Sequence, residues 1–215
     1  QQELTLFLNQ QGLQSVGIAH LEQEDINLLK QCNMDFGDCS YGISIAVKLS
    51  DAIIDEITDA PTHTYFHHYR TVNTFIDQTL LKLGIYLEQK GYRYITVGAS
   101  QSINLNGWNY NGRYSHKKLA CLAGLGTIGK SSLFLHKEYG ARVRLGSLFT
   151  NCPVSFQNHA PVSICKDCTL CTNACPSGAI SGKEWHIGIT REEIFSAETC
   201  SQYMKKQFQH IGRGA

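Results

Sequence analysis

Cys165-Lys-Asp-Cys168-Thr-Leu-Cys171-Thr-Asn-Ala-Cys175-Pro176 is the stretch on which the reading of this chain turns. Three cysteines recur at every third position, a fourth follows four residues later, and a proline comes directly after it. A cubic iron–sulfur cluster takes one thiolate per iron, and two-residue loops are short enough to wrap three thiolates around one corner of the cube. The fourth cysteine of such a run, turned away by its proline, normally ligates a second cluster. Zinc sites pair two C-x2-C units across a dozen or more residues, and a disulfide framework needs an oxidising compartment. The run is therefore read as a [4Fe-4S] site, and the remaining question is what that site feeds.

The chain has 215 residues, 42% of them hydrophobic, which is too much for a bare electron-carrying cluster module and enough for one substantial core ahead of it. Its formal net charge of +1, with only 17% charged residues, provides no footprint for a large polyanion, so nucleic acid is not an expected partner. No apolar run reaches the length that crosses a bilayer, and Gln1-Gln-Glu-Leu4 is not a signal peptide. Five of the nine cysteines crowd into residues 165–200, where free thiolates for iron call for a reducing compartment. The cytoplasm is the expected location.

Upstream, residues 3–13 predict an amphipathic helix closed by Gly12, residues 15–19 a short strand, and residues 41–49 a strand covered on at least one face. Cys32 and Cys39 flank a turn at a spacing that fits no metal motif and read as inert thiols. The longest helical pattern runs from Thr64 to Lys90, with Gly91 placed to end it. His63 and His67 stand four apart there, but without an accompanying acid they read as a solvated helix start. Residues 93–98 predict a strand, and residues 100–111, rich in Asn, Ser and Gly, a loop of the length that often binds ligands.

Gly124-Leu-Gly126-Thr-Ile-Gly129-Lys130-Ser131 satisfies both the phosphate-loop and the dinucleotide glycine patterns. Neither context accompanies it. The residues before it, from Ser115 to Ala123, are an N-cap serine and a helical mix rather than a buried strand, and no Asp lies between Asp77 and Asp167. The segment is read as a glycine turn that lets backbone approach backbone or a bulky cofactor. It is followed by a hairpin of residues 132–136 and 141–150, joined through Lys137-Glu-Tyr-Gly140. Residues 152–160 form a loop into the cysteine run, and Thr190-Arg-Glu-Glu193 is a capping box expected to start one helix reaching about Gln209 and carrying Cys200.

Ser115-His116-Lys117, Ala123 to Lys130, Glu138-Tyr-Gly140, Arg144-Leu-Gly146, Thr150-Asn151 and the run Cys165 to Pro176, in that order, resemble the epoxyqueuosine reductase-like iron–sulfur proteins, relatives of the reductive dehalogenases. The resemblance covers roughly residues 90–205. It implies an α+β fold in which a nitroreductase-like, cobalamin-reductase-type α/β sandwich (residues 1–158) is followed by a small ferredoxin-like iron–sulfur module (residues 159–215). It implies cobalamin as a second cofactor, with Gly124, Gly126, Thr127, Ile128, Gly129 and Lys130 close to the corrin. It also implies metal ligands at Cys165, Cys168, Cys171, Cys175 and Cys200, with one or two clusters in the complete protein.

Three departures from the family pattern shape the expectations. The characterised enzymes place an acidic proton donor ahead of the glycine segment; here His116 stands nearest that position and is the candidate catalytic residue. A helical-repeat domain of the kind that holds tRNA is not expected, in keeping with the near-neutral charge. The family's second cysteine group would fall just beyond residue 215, so the chain is expected to stop short of the natural C-terminus. The leading expectation is an iron–sulfur reductase acting on a small molecule and fed by a carrier such as ferredoxin or flavodoxin. A flavin-dependent reductase and a cobalamin-handling or electron-carrier protein without turnover of its own are the alternatives.

Overall fold

The alternating pattern around residue 45 is the centre of a four-stranded sheet. The structure, a computed structural model, describes residues 2–13, 15–31, 35–103, 110–160 and 162–211. Cys32 and positions 104–109 of the expected binding loop lie outside the described residues. In chain order the elements are α1 (Gln2–Gln10), β1 (Ser15–His20), α2 (Gln23–Gln31), β2 (Tyr41–Lys48), α3 (Asp51–Asp55), α4 (His63–Gln89) and β3 (Tyr94–Val97). They continue with α5 (His116–Leu122), β4 (Gly126–Ile128), β5 (Phe134–His136), β6 (Val143–Thr150), α6 (Leu170–Ala174), α7 (Arg191–Ile194) and α8 (Ala197–Phe208).

The sheet runs β1-β2-β6-β3, with every neighbour antiparallel. Side chains alternate between its faces. Ile43, Ile45 and Leu148 point to one face and pack with Leu4, Leu8 and the α4 residues Val72, Ile76, Leu80, Leu83 and Leu87. The α4 residues recur every three or four positions, the stripe a helix must bury. Each such side chain contributes about 1.5–3 kcal/mol on leaving water. The opposite face carries Phe149, Val97 and Ala19 under Leu119 and Leu122 of α5 and Leu29 of α2. Helices thus cover both sides of a mixed α/β core. The N-terminus of α4 is capped by Thr62 Oγ1, which accepts from Tyr65 N–H at 3.0 Å, and Gly91 closes the helix at φ +86°.

Two expected elements differ. The hairpin of residues 132–136 with 141–150 does not form: β5 pairs with β4, in the glycine segment itself, while β6 enters the main sheet between β2 and β3. Gly126 makes this pairing possible, because a Cβ there would lie 2.1 Å from the Leu135 carbonyl oxygen. The single C-terminal helix is two helices. The capping box at Thr190 and Glu193 starts α7 as expected, but Phe195 is extended (φ −157°, ψ 124°) and bridges to Ile180, and Ser196 caps a second start by accepting from Thr199 N–H. Helices α2 and α3 were not anticipated.

β3 is short. It pairs only with Ser147–Thr150, so residues 143–146 of β6 have no strand beside them on that side. A cavity of about 940 Å³ opens there, walled by Val97–Gln101, by residues 113–118 at the start of α5, by Val143–Leu145 of β6 and by Trp185, Arg191 and Ile194 from the C-terminal part.

Candidate cofactor cavity and cysteine run

Ser115 Oγ accepts from Lys118 N–H and starts α5, which projects its first two side chains into the cavity. His116 is the first. Its Nε2 lies 3.1 Å from the Gly98 carbonyl, which can only accept, so Nε2 carries the proton and Nδ1 accepts from Ser147 Oγ at 2.8 Å. Burial holds its pKa below the ordinary histidine value, a cost that the Gly98 hydrogen bond partly offsets. At neutral pH it is an uncharged imidazole with both nitrogens engaged, which ties β3 to β6 across the cavity mouth.

Lys117, the second, donates from Nζ to the Ser132 carbonyl at 2.6 Å and to Ser132 Oγ at 3.1 Å. Burial pushes its pKa down to about 8, with Arg191 adding to the effect. Ser132 is held at φ +60°, a region non-glycine residues rarely occupy, which aims its carbonyl at the lysine. Across the cavity Arg144 donates from Nε to Asn73 Oδ1 (3.0 Å) and from Nη2 to the Ala99 carbonyl (3.3 Å), and its guanidinium lies 4.4 Å from the Tyr69 ring centroid. Lys118 is different: it pairs at 2.5 Å with the buried Asp25, which also accepts from Tyr114 Oη.

The glycine segment backs onto the cysteine run instead of wrapping the cavity. Of the expected cofactor residues only Ile128 lines the cavity. Gly124, at φ +73°, packs on His159, and Thr127 is buried within β4. A Cβ on Gly129 would lie 3.4 Å from Cys165 Sγ, and Lys130 N–H donates to that sulfur at 3.5 Å. The Lys130 ammonium donates to the carbonyls of Lys166 and Cys168, so it braces the first loop of the run and is not directed at a phosphate.

Within the run, Cys168 is exposed and Cys165, Cys171 and Cys175 are half-buried. Burial is the largest influence on Cys175 and raises its pKa. It is outweighed by Ser177 Oγ at 3.4 Å and the backbone amides of Ser177, Ala179 and Ile180, so the thiol lies below its ordinary value. Cys200 is raised by burial and further by Cys175, which places those two thiols in each other's field. Among the described residues, no three of His, Cys, Asp or Glu are gathered at metal-ligand separations. The donor set nonetheless fits a soft metal centre: thiols approached by N–H groups, one of them stabilised as thiolate. The cavity volume is at the upper end for small-molecule sites and admits a large cofactor. His63 and His67 are exposed at the start of α4, as expected, and Cys39 and Cys121 are buried with burial raising their pKa values, Cys121 to about 12.

No protein-family model matches the chain. Epoxyqueuosine reductase of Listeria monocytogenes is 40% identical over 73 residues, covering 34% of this chain and 19% of that enzyme. The Vibrio cholerae enzyme is 28% identical over 158 residues, covering 70% and 37%. Among solved structures, an epoxyqueuosine reductase superposes with a TM-score of 0.56 at 20% identity over 83% of this chain and 52% of its own. A reductive dehalogenase, described with a mechanism for B12-dependent dehalogenation, superposes at 0.69 and 15% identity over 95% and 29%. The chain is similar in sequence to epoxyqueuosine reductases and shares its fold with them and with reductive dehalogenases. It spans less than half the length of the curated reductases it matches. At these identities the structural likeness carries the fold, and the mixed α/β core is the one these reductases and dehalogenases share. One epoxyqueuosine reductase was solved with an epoxyqueuosine-modified tRNA stem loop, so likeness to this family runs against the expectation that nucleic acid plays no part.

Lys117 and Arg144 were not singled out from the sequence, although both stand in the stretches that carried the resemblance. The signal available was a basic residue beside apolar neighbours, in His116-Lys117-Lys118-Leu119-Ala120 and Val143-Arg144-Leu145. It is the signal a surface position also produces.

Among the described residues no helix is long and apolar enough to cross a membrane.

Proposed function

We propose that the chain is a reductase whose cysteine run holds an iron–sulfur centre and whose cavity holds a corrinoid, with a small molecule as substrate. The observation that carries this is the span from Gly129 to Ser132. Its first two residues lie against Cys165 Sγ, and its last holds Lys117 in the cavity, so cysteine run and cavity share one loop. A bound cluster would supply single electrons, and a bound corrinoid a metal that accepts them. Cys165, Cys168 and Cys171 would hold one cluster, and Cys175 with Cys200 would contribute to a second. Residues 1–158 as a nitroreductase-like domain and residues 159–215 as a ferredoxin-like module are part of the same proposal, as is a cytoplasmic setting with a ferredoxin or flavodoxin as donor. A nucleic-acid-linked substrate is admitted alongside a free small molecule.

The chain's own residues give the cavity its character. Ile128, Leu145, Trp185 and Ile194 contribute apolar side chains to the lining. His116 fixes β3 against β6, and burial brings the Lys117 pKa down to about 8. A cobalamin-handling or electron-carrier protein without turnover is the second reading, favoured by the neutral, doubly bonded state of His116, which is a weak proton donor.

Absorption spectra of anaerobically purified protein test these readings. Added cobalamin should shift its spectrum on binding and be reduced once the iron–sulfur centre is reduced. Protein that purifies with bound flavin and leaves the cobalamin spectrum untouched would overturn the corrinoid reading. Reduction of bound cobalamin without consumption of any candidate substrate would favour the second.

A further inference from the structure

The walls of the cavity carry an excess of positive charge that the protein does not neutralise. Its charged lining residues are Arg113, Lys117, Lys118, Arg144 and Arg191 against a single acid, Asp25, which Lys118 already engages. Arg191 pairs with Glu192, and Arg113 lies over the Phe36 ring. Among the described residues, neither Lys117 nor Arg144 is in an ion pair. Both are held by neutral groups: Lys117 by the two oxygens of Ser132, Arg144 by Asn73, Tyr69, Ser100 and the Ala99 carbonyl. Ser132 takes two of the three ammonium hydrogens, and Nη1 of Arg144 has no hydrogen-bond partner among the described residues.

Removing a charge from water without a counter-charge is costly, and proteins retain that arrangement where a ligand supplies the missing charge. We propose that the cavity binds its ligand through an anionic group, a carboxylate or a phosphate, held by the Lys117 ammonium and the Arg144 guanidinium. The neutral anchors position both cations without quenching them. Arg144 offers a planar donor set and Lys117 a compact charge, the combination that recognises an oxyanion. This deepens the reading above by naming the chemical class of ligand in the same cavity. The anion could belong to the substrate or to the nucleotide-loop phosphodiester of a corrinoid, and the two sources are separable.

The experiment titrates the purified chain with inorganic phosphate and with benzoate by calorimetry. Folding of each variant is verified by circular dichroism, and an exposed cation, Lys183→Gln, serves as control. Wild type should bind at least one of the probes. Lys117→Gln and Arg144→Gln should each weaken it by about tenfold or more, as expected when one charge-assisted contact is lost, while Lys183→Gln leaves it unchanged. Arg144→Lys, which keeps the charge, covers the case in which Arg144→Gln fails to fold. Cobalamin and cobinamide, which lacks the phosphodiester, then locate the source. Selective loss of cobalamin affinity in Lys117→Gln assigns the anion to the corrinoid, and equal affinity for both corrinoids in that variant assigns it to the substrate. Absence of binding for both simple anions, or equal binding in wild type and Lys117→Gln, overturns the inference. Anion binding in a protein that ignores both corrinoids would leave the inference standing and remove the corrinoid from the proposed function.

Discussion

Lys130 and Cys165, 35 positions apart in sequence, meet at a hydrogen bond: the lysine amide donates to the cysteine sulfur at 3.5 Å. Approach this close depends on Gly129. A Cβ there would lie 2.8 Å from Leu135 Cδ1, an atom at the end of a movable side chain, and 3.4 Å from the sulfur. At Gly126 the obstacle is the Leu135 carbonyl oxygen at 2.1 Å, which is backbone and has nowhere to go. The two glycines should therefore fail differently. Gly126→Ala is expected to cost about 3 kcal/mol of stability in urea denaturation through β4–β5 disruption. Gly129→Ala should cost less than about 1 kcal/mol but lower the iron retained after anaerobic reconstitution. Equal stability losses would show that the β4–β5 pairing is not as tight as the geometry requires.

Lys117 should leave a signature in the pH dependence of stability. Its folded pKa, about 8, lies below its ordinary 10.5. Between those values the unfolded chain binds a proton that the folded chain does not, so stability rises with pH across that window. Below about 8 both states are protonated and the cost of the buried charge is present in full. The size is roughly 3 kcal/mol at most over the window. Lys117→Met should flatten the rise between pH 8 and 10 relative to wild type in matched denaturation series. Parallel profiles would mean that the lysine is not buried in solution.

The acid side has the opposite ligand logic and the same sign. His136 is buried, its Nδ1 accepts from the Glu138 and Tyr139 amides, and its Nε2 is 2.6 Å from Ser15 Oγ. Burial lowers its pKa and that of His116. A depressed folded value means the unfolded chain takes up the proton first, so stability is lost as pH falls through the ordinary histidine value of 6.5. His136→Gln should weaken this acid dependence while lowering stability at pH 8, measured by thermal melts from pH 8 to 5. A wild-type melting temperature that stays level between pH 7 and 5 would contradict it.

Much of this fold was legible because its signals are local. The stripe of α4, the cap at Ser115 and Gly91 each act within a few residues, and each is where the pattern placed it. What was not legible depends on partners far along the chain. β5 and β6 read as a hairpin because Lys137 to Gly140 is a plausible turn. Nothing local reveals that Gly126 offers β5 a flat edge, or that β2 and β3 leave a slot for β6. The break at Phe195 had a local sign in the second cap, Ser196 with Thr199, which the stronger capping box before it obscured. Lys117 looked like any surface lysine until β6 and the C-terminal part enclosed it.

Asp25 is the acid end of a buried pair, with Lys118 Nζ at 2.5 Å and Tyr114 Oη at 3.2 Å. Asp25→Asn keeps the shape and removes the charge, stranding the lysine in a setting where its side chain is only 24% exposed. The expected loss is about 2–4 kcal/mol, smaller than for a fully enclosed pair because Lys118 retains some water. The companion Lys118→Met with Asp25→Leu should recover most of it, since a well-packed apolar pair replaces the ion pair at little cost. Failure of the double variant to recover would place the role of Asp25 in the cavity lining.

Six of the described thiols should separate into two chemical groups. Cys39 and Cys121 are buried with their pKa values raised, which keeps them protonated and unavailable to metal. Cys165, Cys168 and Cys171 are solvent-accessible to different degrees, the first two adjoining Lys130, while Cys175 is surrounded by amide donors that favour its thiolate. Anaerobic reconstitution with iron and sulfide should therefore fill wild type, Cys39→Ser and Cys121→Ser alike and fail to fill Cys168→Ser, judged by iron content and by broad visible absorption that dithionite bleaches. Removing the iron with a chelator should release Lys130 and Cys165 from a shared anchor and expose the Lys166 loop to protease, with little change at β2 or β6. Zinc in place of iron, or equal iron in Cys168→Ser and wild type, would sever the link between the cysteine run and electron transfer.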